Sequence, residues 1–138
     1  MNTINTQIIN YFKNQDGIVA VYLFGSHAAG FPRPFSDVDI GIIAEHANIN
    51  GIKKKFLKYI VDLGRILRMD IHPVMLNIAS ERLLSQIFAK GQCLVVNDRQ
   101  ALSEFRMNAF VKIAEFNFHK KRMQEGFIHR FTPTLMEV

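Results

Sequence analysis

The chain has 138 residues, 49% hydrophobic and 21% charged, a globular composition large enough for one core and unlike that of a disordered chain. No apolar run approaches the roughly 20 residues that span a bilayer, and the first fifteen residues lack the basic-then-apolar order of a signal peptide. A single cysteine excludes an internal disulfide, so a reduced, cytoplasmic protein with no membrane partner is expected.

The net charge is +5, partly gathered in Lys53, Lys54, Lys55 and Lys58 and in Lys120, Lys121 and Arg122. No nucleic-acid-binding signature accompanies these runs. They read as solvated helix faces, and no direct nucleic-acid binding is expected.

In chain order, Ile4, Ile8, Ile9 and Phe12 form a helical stripe that predicts a helix over residues 3–14, ended by Gly17. Residues 18–24 are a near-continuous run of β-branched and aromatic side chains, the pattern of a buried strand. Gly25 and Ser26 break it. Pro32 and Pro34 then leave room only for a short helical turn over 27–30. Residues 38–43 predict a second strand. Its period of two places Val38, Ile40 and Ile42 on a core face, with Asp37, Asp39 and Gly41 on the other, directed at a cleft.

Residues 44–51 read as a polar connection. One amphipathic helix follows, with Ile52, Phe56, Tyr59, Ile60, Leu63, Ile66 and Leu67 inward at three- and four-residue intervals. Residues 69–75 predict a third strand, at an edge or ended early because of Pro73, with Asp70 and His72 on one face. Residues 77–88 predict a helix with Leu83, Leu84, Ile87 and Phe88 inward. Residues 93–96 predict a short fourth strand with Cys93 as a small core residue.

The last helix is expected over about 98–124 and carries two apolar stripes. Leu102, Phe105, Ala109, Ile113 and Phe116 form one; Met107, Phe110, Val111, Ala114 and Phe118 form the other. One stripe docks a helix on its own domain. The second calls either for a partner or for cover by residues 126–138, with Phe127, Phe131 and Met136. The class is α/β (α+β), a small mixed sheet of about four strands flanked by helices with a long C-terminal helix. Residues 1–138 read as one domain, with its core in about 1–98.

Two carboxylates two residues apart on a strand, Asp37 and Asp39, can reach one hard cation, and magnesium takes oxygen ligands from one or two carboxylates plus phosphates. Like charges so close oppose each other's ionisation unless a cation joins them. Asp70 from a neighbouring strand supplies a third carboxylate, enough for two ions. After a strand, Gly25 and Ser26 offer free backbone N–H groups and a hydroxyl to phosphate oxygens, and glycine permits close approach. Each feature alone has a plain structural reading: a solvated acidic pair, a turn, an ion pair of Asp70 with Arg65 or Arg68. His27 and His72, near these motifs, read as surface or packing residues.

Gly25-Ser26, ten residues, Asp37-Val38-Asp39 and the later Asp70 together resemble the signature of the nucleotidyltransferase fold shared with DNA polymerase beta. The small size resembles its minimal nucleotidyltransferase (MNT) branch, and the likeness spans residues 18–98. The resemblance implies transfer of AMP from ATP with two magnesium ions. Asp37 and Asp39 would be metal ligands, Asp70 a third ligand that helps activate the acceptor hydroxyl, and Gly25 and Ser26 the triphosphate-binding pair.

Many minimal members pair with a HEPN ribonuclease in toxin–antitoxin modules and adenylylate a tyrosine of the toxin. By the same resemblance this chain is an antitoxin whose partner is a HEPN-type toxin, held through the C-terminal helix. Members often carry arginines after Gly-Ser, where this chain has His27, Ala29 and a single Arg33. Two further readings stand beside this one: a small-molecule nucleotidyltransferase of the aminoglycoside-modifying kind, and a binding antitoxin with an idle metal site.

Overall fold

In the computed structural model, residues 3–25 and 37–131 are described, with side chains to residue 126. The elements are α1 (Thr3–Phe12), β1 (Ile18–Phe24), β2 (Val38–Ala44), α2 (Ile49–Lys54), α3 (Phe56–Leu67), β3 (Ile71–Met75), α4 (Glu81–Lys90), β4 (Gln92–Val96) and α5 (Arg99–Phe131). They form one mixed sheet in the order β3-β2-β1-β4. β1 runs antiparallel to β2 and β4, whereas β2 and β3 are parallel. A parallel pair needs a long crossover, and α2 and α3 supply it.

Hydrophobic burial divides between the two faces of the sheet. On one, Val21, Leu23, Val38, Ile40 and Ile42 pack with Ile8 and Phe12 of α1, Ile52 of α2 and Tyr59 and Leu63 of α3. On the other, Ala20, Tyr22 and Ile43 pack with Leu84 and Ile87 of α4 and Leu102 and Ala109 of α5. Tyr11 ties α1 to α3 by donating to Asp62 at 2.7 Å. Burial and that carboxylate push its phenol well above the ordinary tyrosine range.

Several expectations are corrected. Residues 44–51 contain a 3₁₀ turn (His46–Asn48) and the start of α2 rather than a plain connection. The single helix expected next is two, divided at Lys55, because its buried residues follow different parts of the sheet. Ile52 packs over Gly17, with Cδ1 3.3 Å from where a Cβ would stand there, while Tyr59 and Leu63 sit deep in the core beside α1. Ile60 and Ile66 are exposed, and α3 packs through Phe56, Tyr59, Leu63 and Leu67.

β3 starts at Ile71, so Asp70 precedes the strand, although Val38 N still donates to the Asp70 carbonyl at 2.8 Å. The helix expected from residue 77 begins at Glu81. Ser80 caps it by accepting from Leu83 N at 3.2 Å, while Asn77 lies in a 3₁₀ turn (Leu76–Ile78) and bonds the backbone of Ala44 at the end of β2. Cys93 lies exposed on an edge strand, not in the core. Pro73 sits on the edge strand β3, as its missing N–H requires.

Asp98 starts α5 by accepting from Ala101 N at 3.0 Å, the side-chain cap an exposed helix start needs. The helix runs 33 residues to Phe131, about 50 Å at 1.5 Å per residue, longer than the expected end near residue 124. The cover expected from Phe127, Phe131 and Met136 falls outside the described side chains. No helix among the described residues is long and apolar enough to cross a membrane.

Candidate active site

The acidic residues stand at neighbouring backbone positions where β1 ends and β2 and β3 begin. In the antiparallel pair Phe24 stands opposite Asp39. In the parallel pair Asp39 stands beside His72 and Val38 beside Ile71, a register that brings Asp37 next to Asp70. Side chains alternate along strands, so Asp39 and His72 share one face, and Asp37 and Asp70 come one residue before β2 and β3. The face of Asp39 and His72 is the one that α4 and α5 cover further along, and it is open here.

Gly25 has φ +75°, a left-handed conformation that glycine adopts without the Cβ penalty. A Cβ there would overlap the Asp39 Oδ2 oxygen. The glycine therefore serves the turn and the carboxylate together. The other oxygen of Asp39, Oδ1, lies 3.1 Å from His72 Nδ1, with the histidine 63% and the aspartate 27% exposed. With a proton on Nδ1 the imidazole donates to the carboxylate. Asp39 is thus held from two sides, while Asp37 and Asp70 are exposed. Ser26, His27 and Arg33 lie outside the described residues.

A cleft of about 480 Å³ opens beside Asp39, lined by Phe24 and Gly25 and, across from them, by Leu83, Gln86, Ile87, Lys90 and Gly91 of α4 and its end. Its size suits a small-molecule ligand. Among the described residues no group of three His, Cys, Asp or Glu side chains is already gathered tightly enough to enclose a metal ion. The donor set nonetheless fits magnesium. It is all oxygen, and magnesium keeps waters and phosphate oxygens beside one or two carboxylates instead of needing a protein cage. The close seat of Asp39 on Gly25 leaves room there for no larger side chain.

Two features were missed from sequence. His72, read as a surface or packing residue, is exposed as expected, but its contact with Asp39 through the parallel register was not foreseen. Lys90 was not singled out. Its signal was the spacing Leu83, Gln86, Ile87, Lys90 on one helical face followed by Gly91.

Residues 6–100 match the family described as Polymerase beta, Nucleotidyltransferase. The chain belongs to that family. Gly25, Asp37, Asp39 and Asp70 all lie within the matched span, and the nucleotidyltransferase class expected from them is borne out. No curated protein matches the chain.

Among solved structures, the chain is similar to one of a toxin–antitoxin with AMP-PNP, at 21% identity and TM-score 0.67, covering 92% of this chain and 99% of that one. It is also similar to one of a tri-AMPylated Shewanella oneidensis HEPN toxin in complex with MNT antitoxin, at 22% identity and TM-score 0.57, covering 92% and 94%. A third is the toxin–antitoxin MntA–HepT, at 22% and 0.56, covering 92% and 95%. These likenesses establish the shared fold, that of an MNT domain.

Proposed function

We propose that this nucleotidyltransferase transfers AMP from ATP to a tyrosine hydroxyl of a HEPN-type toxin and thereby neutralises it. The observation that carries the reading is the seat of Asp39. Asp39, of the acidic pair Asp37-x-Asp39, sits close against a left-handed Gly25 and lines a cleft of about 480 Å³. Similarity to toxin–antitoxin structures containing AMP-PNP and an AMPylated toxin supports the nucleotide and the acceptor.

In this reading Gly25 and Ser26 hold the triphosphate by backbone N–H groups and the serine hydroxyl. Asp37, Asp39 and Asp70 would hold two magnesium ions, which would neutralise the phosphate charge and acidify the attacking hydroxyl. Asp70 helps draw the proton from that hydroxyl. The tyrosine hydroxyl oxygen then bonds to the α-phosphorus while the bond to the β-phosphate oxygen breaks and pyrophosphate leaves. Positioning and charge neutralisation carry the rate.

Co-expression with a HEPN-type partner, followed by intact-mass measurement, tests this. Whole AMP increments are expected on the partner and are lost with Asp39→Ala. Increments that persist in the variant sink the assignment.

One observation favours a second reading, a binding antitoxin that needs no chemistry. Met107, Val111 and Phe118, on the outer stripe of α5, are 69%, 54% and 58% exposed. An apolar surface of this kind fits a protein partner. Neutralisation by Asp39→Ala, together with its loss in a Val111→Ser/Phe118→Ser variant, would favour binding over catalysis.

A further inference from the structure

The cleft beside Asp39 has one wall whose chemistry the family motif does not use. Leu83, Gln86, Ile87 and Lys90 recur along one face of α4. Ile87 is fully buried and anchors the helix in the core, while Gln86 and Lys90 are exposed on the cleft side of that anchor.

Gly91 fixes where this wall stands. Its backbone is ordinary (φ −76°, ψ 165°), so the glycine is needed for space. A Cβ would come within 2.6 Å of the Ile87 carbonyl oxygen and 3.2 Å of the Leu23 carbonyl oxygen. The end of α4 is therefore pressed against the β1 backbone just before Phe24 and Gly25. Lys90 is carried to the mouth of the cleft by this backbone contact.

A lysine in the last turn of a helix commonly does no more than offset the helix dipole. Three facts here go further. Lys90 lines the same cleft as Gly25 and Asp39. It has no ion-pair partner among the described residues. And the segment after Gly25-Ser26 supplies only one arginine, Arg33, for a ligand with several negative charges.

We propose that Lys90 is the cation that holds the polyphosphate of the nucleoside triphosphate, supplied from α4 in place of arginines following the Gly-Ser turn. The inference rests on the nucleotide-transfer reading for the identity of the ligand. Lysine acts on phosphate as a point charge on a flexible stem, which suits a cleft mouth that must also release pyrophosphate. Phe24, Leu83 and Ile87 give the same cleft an apolar wall.

The test compares wild type, Lys90→Ala and Lys90→Arg in equilibrium binding of a non-hydrolysable ATP analogue with magnesium, and of adenosine, which lacks phosphate. Expected are an affinity for the analogue at least about tenfold lower in Lys90→Ala, recovery in Lys90→Arg, unchanged adenosine binding and an unchanged melting temperature. Transfer kinetics should show the loss mainly in KM for ATP.

Equal analogue affinity in wild type and Lys90→Ala overturns the proposal. So does an equal loss for adenosine, which would mark a merely structural role, and so does a wild type that binds no analogue. If Lys90-dependent binding is seen but no protein is labelled, the toxin-acceptor reading falls and the role of Lys90 stands.

Discussion

Where β1 begins and β2 ends, the ladder is closed by asparagines. Asn77 accepts from Ala44 N at 2.8 Å and donates to Ala44 O at 2.9 Å. Asn97 donates to Phe12 O at 3.1 Å and accepts from Asn14 N at 3.1 Å, and Glu45 N reaches Gly17 O at 2.8 Å. At the opposite end of the same two strands the polar side chains are carboxylates. Only Asp39 among them has a side-chain partner among the described residues, the exposed His72. Amides at the first end satisfy backbone groups that would otherwise be buried unpaired. Acids at the second keep acceptor capacity in hand, which is what a cation or a reacting hydroxyl requires. On the proposed reading, stability and chemistry lie at opposite ends of one ladder.

Substitutions at the two ends should therefore separate. The largest effect on chemistry belongs to Asp39→Ala. AMP transfer should fall by at least about a hundredfold, with a melting temperature equal to or above wild type because a half-buried charge is removed. A cooperative loss of folding would break the comparison.

The largest effect on stability belongs to Asn77→Ala, which strands both the N–H and the C=O of the buried Ala44. A cost of about 2–3 kcal/mol, read by urea denaturation, should leave transfer per folded molecule within about twofold.

Gly25→Ala tests the junction between the two behaviours, since a Cβ there both opposes the left-handed turn and displaces Asp39. Transfer should drop about tenfold, for a stability cost of about 1 kcal/mol. The smallest effect is that of His72→Ala. An exposed, solvent-screened pair contributes little to stability, so the fold should be unchanged while transfer falls a few-fold, and His72→Asn should recover part of it. A His72→Ala variant that lost activity as completely as Asp39→Ala would show that the histidine does more than hold the carboxylate.

Much of this was legible in the chain. The apolar run of residues 18–24 became β1 with the same bounds, and alternation along 38–42 placed Val38, Ile40 and Ile42 in the core and Asp39 toward the cleft. Pro73 marked an edge strand correctly. Periodicity failed where an apolar residue met nothing. Ile60 and Ile66 fit the helical stripe but flank the residues that pack, Phe56, Tyr59, Leu63 and Leu67. Cys93 fits a buried strand but occupies an edge. Asn77 fits a helix start but serves a strand end, because an amide with both a donor and an acceptor can close a ladder that would otherwise terminate on unpaired groups.

Strand type, the Gly-Ser break and the presence of three acids are properties of short contiguous runs, since periods of two and 3.6 and the backbone limits of glycine and proline act over a few residues. The sequence by itself therefore determined the family motif, Gly25-Ser26 with Asp37, Asp39 and Asp70, and the class of chemistry. Tertiary structure alone decided that His72 meets Asp39 and that Lys90 stands across the cleft from Gly25. The first depends on the register of two parallel strands and the second on how closely one helix end can approach another strand's backbone. Both are set by the packing of the whole core, to which no single stretch of the chain has access.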